Sequence, residues 1–294
     1  MSRRAREALA VVMAFTLLTA CAHHKQAVEV EDPPARVDIL ESDPAWSPDG
    51  GRIAYYRIPS FWGDSTGIVV MNADGTERRL LVDGYQPAWR SDGAELAFVR
   101  GAQIWIIDLH SGIVRQITRT CESFWPSWSP DGNRLAFSRS ITIDSVGIWL
   151  CDPADGGQTR RVCAYGMDPA WSPDGKRIAF TCYTRTGLED LYALRLEDGS
   201  VEQLTNTPGV REMGPVWARD GLRIVYGENG RGVGVYTVAT GSREIIPGTG
   251  QPGFFDWVYP DIGPDSRSIV YSKEYLWTVK IDGTENHPVA VAPK

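Results

Sequence analysis

The pentapeptide Trp-Ser-Pro-Asp-Gly stands unaltered three times in this chain, at residues 46–50, 128–132 and 171–175. Looser copies follow the same plan at 89–93 (WRSDG), 217–221 (WARDG) and 262–266 (IGPDS). The first position of the unit recurs at 46, 89, 128, 171, 217 and 262, so the spacing is 39 to 46 residues throughout. That is the length of one four-stranded propeller blade. Few other folds accept six copies of one short turn at this interval.

Each copy carries the same local signals. A short extended piece containing proline precedes the tryptophan, and a β run follows the turn: RIAYY at 52–56, ELAFV at 95–99, RLAFS at 134–138, RIAFT at 177–181, RIVYG at 223–227 and SIVYS at 268–272. A second hairpin comes next, turning at Asp74-Gly75, Ser111-Gly112, Asp155-Gly156, Asp198-Gly199, Thr240-Gly241 or Asp282-Gly283. Asp-Gly between β-branched and aromatic runs favours a hairpin, because glycine accepts a positive φ and Asp tolerates one. The expected fold is therefore all-β, a six-bladed β-propeller of four-stranded antiparallel blades that begin near residues 43, 86, 125, 168, 214 and 259. The blades fill 43–294 as one domain, and closure leaves only short outer edges. The five motif tryptophans are expected to wedge between blades. A hydrophobic content of 43% is enough for such a core.

The first forty residues read differently. Arg3, Arg4 and Arg6 precede an uncharged, largely apolar run at 8–20, too short to span a bilayer core of roughly 30 Å. The pattern is that of a secretory signal over 1–20. It ends in Leu18-Thr19-Ala20-Cys21, which resembles a bacterial lipobox. The resemblance implies cleavage before Cys21, lipidation of Cys21, and a flexible tether over 21–42. Ala22, a non-acidic residue, implies sorting to the periplasmic side of the outer membrane. Without the signal the formal charge moves from −7 to −9, since three Arg and one Glu are lost. No basic stripe is available for phosphates, so nucleic acid is not an expected partner. Four cysteines remain, at 121, 151, 163 and 182, without zinc-site spacing. Cys151 and Cys163 are expected about three residues out of register, too far apart for a disulfide. Pairing among Cys121, Cys163 and Cys182 stays open.

The repeat P-x-W-S-P-D-G-x-[KR]-[IL]-A-[FY], followed by an aliphatic-aromatic strand and an Asp-Gly hairpin, resembles the WD-like repeats of TolB-like propellers over about residues 43–291. The family's namesake carries an α/β domain ahead of its propeller and is not lipid-anchored. The expectation here is a stand-alone, lipid-anchored relative rather than TolB itself. The resemblance implies a monomeric propeller that binds a periplasmic or envelope protein or peptide, without cofactor.

Enzymatic chemistry finds little support in the residues. The four histidines, His23, His24, His110 and His287, are scattered, and no G-x-S-x-G elbow occurs. Pectate-degrading propellers hold a metal with clustered histidines, and that cluster is missing. The alternative to protein binding is a glycan-binding or carbohydrate-active propeller acting on cell-wall or extracellular sugars. Two residue sets are candidate sites. Asp49, Asp92, Asp131, Asp174, Asp220 and Asp265 would ring one end of the channel, where they either make their own turns or hold Ca2+ or another hard cation. Four arginines three residues further on, Arg52, Arg134, Arg177 and Arg223, are placed to neutralise them. On the opposite rim, Trp62, Phe254, Phe255 and Trp257 lie on long loops and form the candidate partner-binding surface. Trp125 and Tyr259, directly before inner strands, are expected in the core.

Overall fold

The computed structural model describes residues 39–59, 66–139, 146–183, 188–250, 258–273 and 275–289. These residues form six four-stranded antiparallel sheets, each built from consecutive strands. No helix occurs among them. Blade 1 consists of Ile39–Trp46, Arg52–Pro59, Gly67–Asn72 and Arg79–Val82; blade 2 of Tyr85–Trp89, Glu95–Arg100, Gln103–Asp108 and Val114–Gln116. Blade 3 takes Ser123–Trp128, Leu135–Arg139, Gly147–Cys151 and Arg160–Cys163; blade 4 takes Met167–Trp171, Arg177–Tyr183, Glu189–Arg195 and Val201–Gln203. Blade 5 runs through Glu212–Trp217, Arg223–Glu228, Gly232–Thr237 and Ser242–Ile245. Blade 6 completes the set with Pro260–Ile262, Ser268–Ser272, Leu276–Lys280 and His287–Pro288. The chain is thus a six-bladed all-β propeller. Its first inner strand starts at Ile39, a few residues ahead of the boundary expected from the motif.

The second and third strands of each blade are the most apolar and the most buried. Their side chains meet those of the next blade, as in the cluster of Ala97, Val99, Ile104 and Ile106 with Leu135 and Phe137. Of the motif tryptophans, Trp89, Trp128 and Trp217 are buried and Trp46 and Trp171 are partly so. Each ends an inner strand and packs into a seam between blades. Trp89 Nε1 donates to Ala45 O of blade 1 (3.0 Å), and Trp128 Nε1 repeats the contact to Ala88 O of blade 2 (3.1 Å).

The ring closes without exchanging a strand between blades 1 and 6. Each inner strand lies beside those of the blades before and after it, and blade 1 packs on blade 6 in the same way. Ile53, Tyr55, Val69 and Met71 share one core cluster with Val270, Leu276 and Val289. A polar contact repeats as well. Buried Glu41 accepts from Leu276 N of blade 6 (3.2 Å), as Glu212 of blade 5 accepts from Leu191 N of blade 4 (3.1 Å). Both glutamates stand three residues before the inner-strand proline, and both pair with an arginine, Arg78 (2.6 Å) and Arg243 (3.0 Å). The closing seam is therefore an ordinary seam.

All four cysteines of the propeller are free. Cys163 pairs in register with Ile148, three residues from Cys151, so that pair is separated as the hairpin register requires.

Candidate functional site: the channel mouth

The turn aspartates sit where the repeat predicts, each engaged within its own turn. Asp49, Asp131 and Asp174 accept the hydroxyls of Ser47, Ser129 and Ser172, each at 2.5 Å. Their Oδ1 atoms also accept the amides of Gly51, Asn133 and Lys176 at 3.0 to 3.1 Å. The serine hydroxyls hold these carboxyls below the usual carboxylate range. Asp92 takes Ala94 N, Asp220 takes Leu222 N, and Asp265 takes Arg267 N and Ser268 N. Among the described residues no group of three or more His, Cys, Asp or Glu is placed to hold a metal ion. The arginines do more than neutralise. Arg223 reaches Asp220 (2.8 Å), and the charges of Arg52 and Arg177 help to lower the pKa of Asp49 and Asp174. Arg52 and Arg177 also lie over the Trp89 and Trp217 rings of the next blade, at 5.0 and 4.6 Å from the centroids. They join the seams by cation–π contact.

Trp62, Phe254, Phe255 and Trp257 lie outside the described residues, as does Cys21. What the structure does show is a second ring, inside the channel. Asp43, Gln86, Trp125 and Asp168 have φ between 49° and 55°, and Gly214 has φ 54°. Each directly precedes a proline, and in each blade the pairing register of inner and second strand shifts there. The shift is a β-bulge. It leaves one residue unpaired and re-aims its side chain. The innermost strand has its free edge toward the axis, so a proline lacking an N–H is tolerated at this place. Tyr259, followed by Pro260, holds the corresponding position in blade 6.

Side chains of this ring satisfy the exposed edge of the neighbouring blade. Gln86 Oε1 accepts Trp125 N (2.9 Å) and Asp168 Oδ2 accepts Gly214 N (3.2 Å). One residue before the tryptophan position, Ser127 Oγ accepts Trp171 N (3.3 Å) and Asp261 Oδ2 accepts Trp46 N (2.5 Å). Gly214 is required twice over. Its φ is positive, and a Cβ there would lie 2.8 Å from the Tyr259 ring. Trp125 is therefore a bulge residue of an inner strand, whereas Tyr259 packs beside Gly214 with its phenol buried, as expected of a core residue.

The ring is acidic and aromatic. Burial pushes Asp43 and Asp168 up to about 6 and Asp261 to about 7. Asp43 of blade 1 and Asp168 of blade 4 are close enough to raise Asp168 further and to act together on Tyr259, whose phenol burial also drives up. Glu189 pairs with Arg211 (2.7 Å) in the same neighbourhood. Above Asp43, Tyr56 and Tyr85 meet at 5.8 Å between ring centroids, and Phe124 meets Trp125 at 5.6 Å. Asp168 is 9% exposed and its Oδ1 has no hydrogen-bond partner among the described residues. Carboxylates and aromatic rings of several blades thus gather on the innermost strands. His110 and His287 are exposed and lie on separate blades.

No protein-family model matches the chain, and no curated protein matches it. Solved structures do. The chain superposes on TolB from Acinetobacter baumannii with a TM-score of 0.67 at 26% identity, over 80% of this chain and 62% of that one. A TolB-designated protein of Agrobacterium tumefaciens gives 0.50 at 21% identity, over 85% of this chain and 80% of the other. An oligogalacturonate lyase in complex with manganese gives 0.55 at 14% identity, over 83% and 90%. The molecule is a TolB-like six-bladed propeller. It spans less than two thirds of the Acinetobacter TolB chain.

Proposed function

We propose that this propeller is a non-enzymatic module that binds a protein or peptide of the bacterial cell envelope at the channel mouth. The observation that carries the reading is the bulge ring, which sets Asp and aromatic residues of several blades at one position of the innermost strands. The likeness to TolB supports it. Lipidation at Cys21, a tether that ends ahead of the first strand at Ile39, residence on the periplasmic side of the outer membrane and a monomeric state complete the proposal. They rest on the N-terminal sequence and on the likeness to TolB. We assign the six turn aspartates to turn formation, since each carboxylate is already engaged by its own turn. The glycan-binding alternative draws on the fold shared with oligogalacturonate lyase, a likeness of fold alone.

The test combines affinity capture from envelope extract with glycan-array binding, using the intact chain and a variant with Trp62, Phe254, Phe255 and Trp257 replaced by alanine. The proposal expects a protein captured by the intact chain and lost in the variant, with the thermal midpoint nearly unchanged. A glycan signal without a protein partner overturns it in favour of sugar binding. A large fall in the midpoint shows the four aromatics to be core.

A further inference from the structure

The second strands of blades 2 and 3 end in arginines at the same repeat position, Arg100 and Arg139. Both lie over the aromatic pair formed by their own strand and the third strand. Arg100 is 5.2 Å from the centroids of Phe98 and of Trp105, while Arg139 is 5.3 Å from Phe137 and 4.3 Å from Trp149. Each aromatic pair is cross-strand in register. The two sites differ in the counter-charge. Arg100 forms an ion pair with Asp83, on the segment entering blade 2. Glu122 holds the matching place on the segment entering blade 3, three residues before the bulge, yet it forms no ion pair among the described residues and acts instead on the Tyr85 phenol.

Among the described residues Arg139 is consequently a buried cation met by two aromatic rings and by no carboxylate. It is 8% exposed, its Nε has no acceptor, and it has no ion pair among the described residues. Burial lowers its pKa. The groups that face it are thiols, Cys121 and Cys151, and burial pushes Cys151 up to about 12, so that thiol supplies no charge at neutral pH. A buried charge left unpaired is costly, and a fold retains one mainly where something else neutralises it.

Arg139 lines a cavity of about 330 Å³ in the seam between blades 2 and 3. Arg119, exposed and also without an ion pair among the described residues, lines the same cavity, together with Thr118, Thr120 and Trp149. Asp155 is the one acid on its wall, and its Oδ1 accepts Gly157 N (2.6 Å). Two guanidiniums thus face one acid that is already engaged. The volume is at the lower end of the range for small-molecule sites.

We propose that this cavity is an oxyanion site, in which Arg139 and Arg119 receive the phosphate or carboxylate group of a small molecule. Arg139, fixed by stacking on Trp149, supplies the desolvated charge-assisted hydrogen bond, and Arg119 closes over the ligand from the rim.

The test is isothermal titration of the full chain with inorganic phosphate and, separately, with glucuronate, at constant ionic strength in a chloride background. Saturable 1:1 binding of at least one titrant is expected, and the tighter one identifies the anion class. Arg119→Ala should weaken it about tenfold and Arg139→Gln by up to about a hundredfold, the range for hydrogen bonds to charged groups. If Arg139→Gln fails to fold, Arg119→Glu, a change on an exposed residue, decides by abolishing binding. The proposal is overturned if neither anion binds saturably below about 10 mM. A Kd unchanged by Arg119→Glu overturns it as well, because the anion then sits elsewhere.

Discussion

Asp168 shows how one residue is placed between structure and function. Its Oδ2 caps Gly214 N of the next blade (3.2 Å), while burial and the nearby Asp43 and Glu189 raise its pKa to about 6. The ordinary aspartate value is about 3.9. Between the two values the folded state binds more protons than the unfolded one, so this residue's contribution to stability falls as pH rises from about 4 to about 6. Asp168→Asn keeps an acceptor for Gly214 N and removes the charge. It should raise the thermal midpoint at pH 8 by about 2–4 °C, the size of a 1 kcal/mol change in a domain of this class, and leave pH 4.5 almost unaffected. An equal shift at both pH values would mean that ionisation plays no part. The turn aspartates behave in the opposite sense, because serine hydroxyls stabilise their charged form. Carboxylates thus serve one purpose at the turns of all six repeats and another at the bulges of blades 1 and 4.

The hairpins, the turn aspartates and the seam tryptophans could all be read from the chain, because they depend on neighbours within a few residues: Pro-Asp-Gly makes its turn wherever it stands. The bulge ring was harder to see. Its only linear trace is a residue before proline in all six repeats, Asp43, Gln86, Trp125, Asp168, Gly214 and Tyr259. Whether such a residue faces a blade or the channel depends on the register shift, which pairing with the second strand decides. That is why Trp125 reads as core. Gly214 tests the bulge as an element. Gly214→Ala forces a side chain into φ 54° and against the Tyr259 ring. It should cost about 1–3 kcal/mol in chemical denaturation. A neutral result would show that the bulge relaxes freely.

At the scale of the whole molecule, closure depends on contacts between chain ends that no local pattern reveals. Glu41 and Leu276 are 235 positions apart and make the same contact as Glu212 and Leu191 within the ring. Glu41→Ala leaves the Leu276 N–H buried without its acceptor and removes one of the partners of Arg78. It should cost about 1–3 kcal/mol and speed amide exchange in Leu276–Lys280 before the interior blades are affected. Uniform exchange across the ring would place the weak seam elsewhere. The closed ring also separates two faces, one carrying the aspartate turns and the other the channel mouth, and the account assigns binding to the second. Photo-cross-linking in cells tests that assignment most directly, with p-benzoylphenylalanine replacing Tyr85 at the mouth or exposed Leu222 at a turn. A discrete protein adduct is expected from position 85 and none from position 222. An adduct from 222 alone, or none from 85, would contradict it.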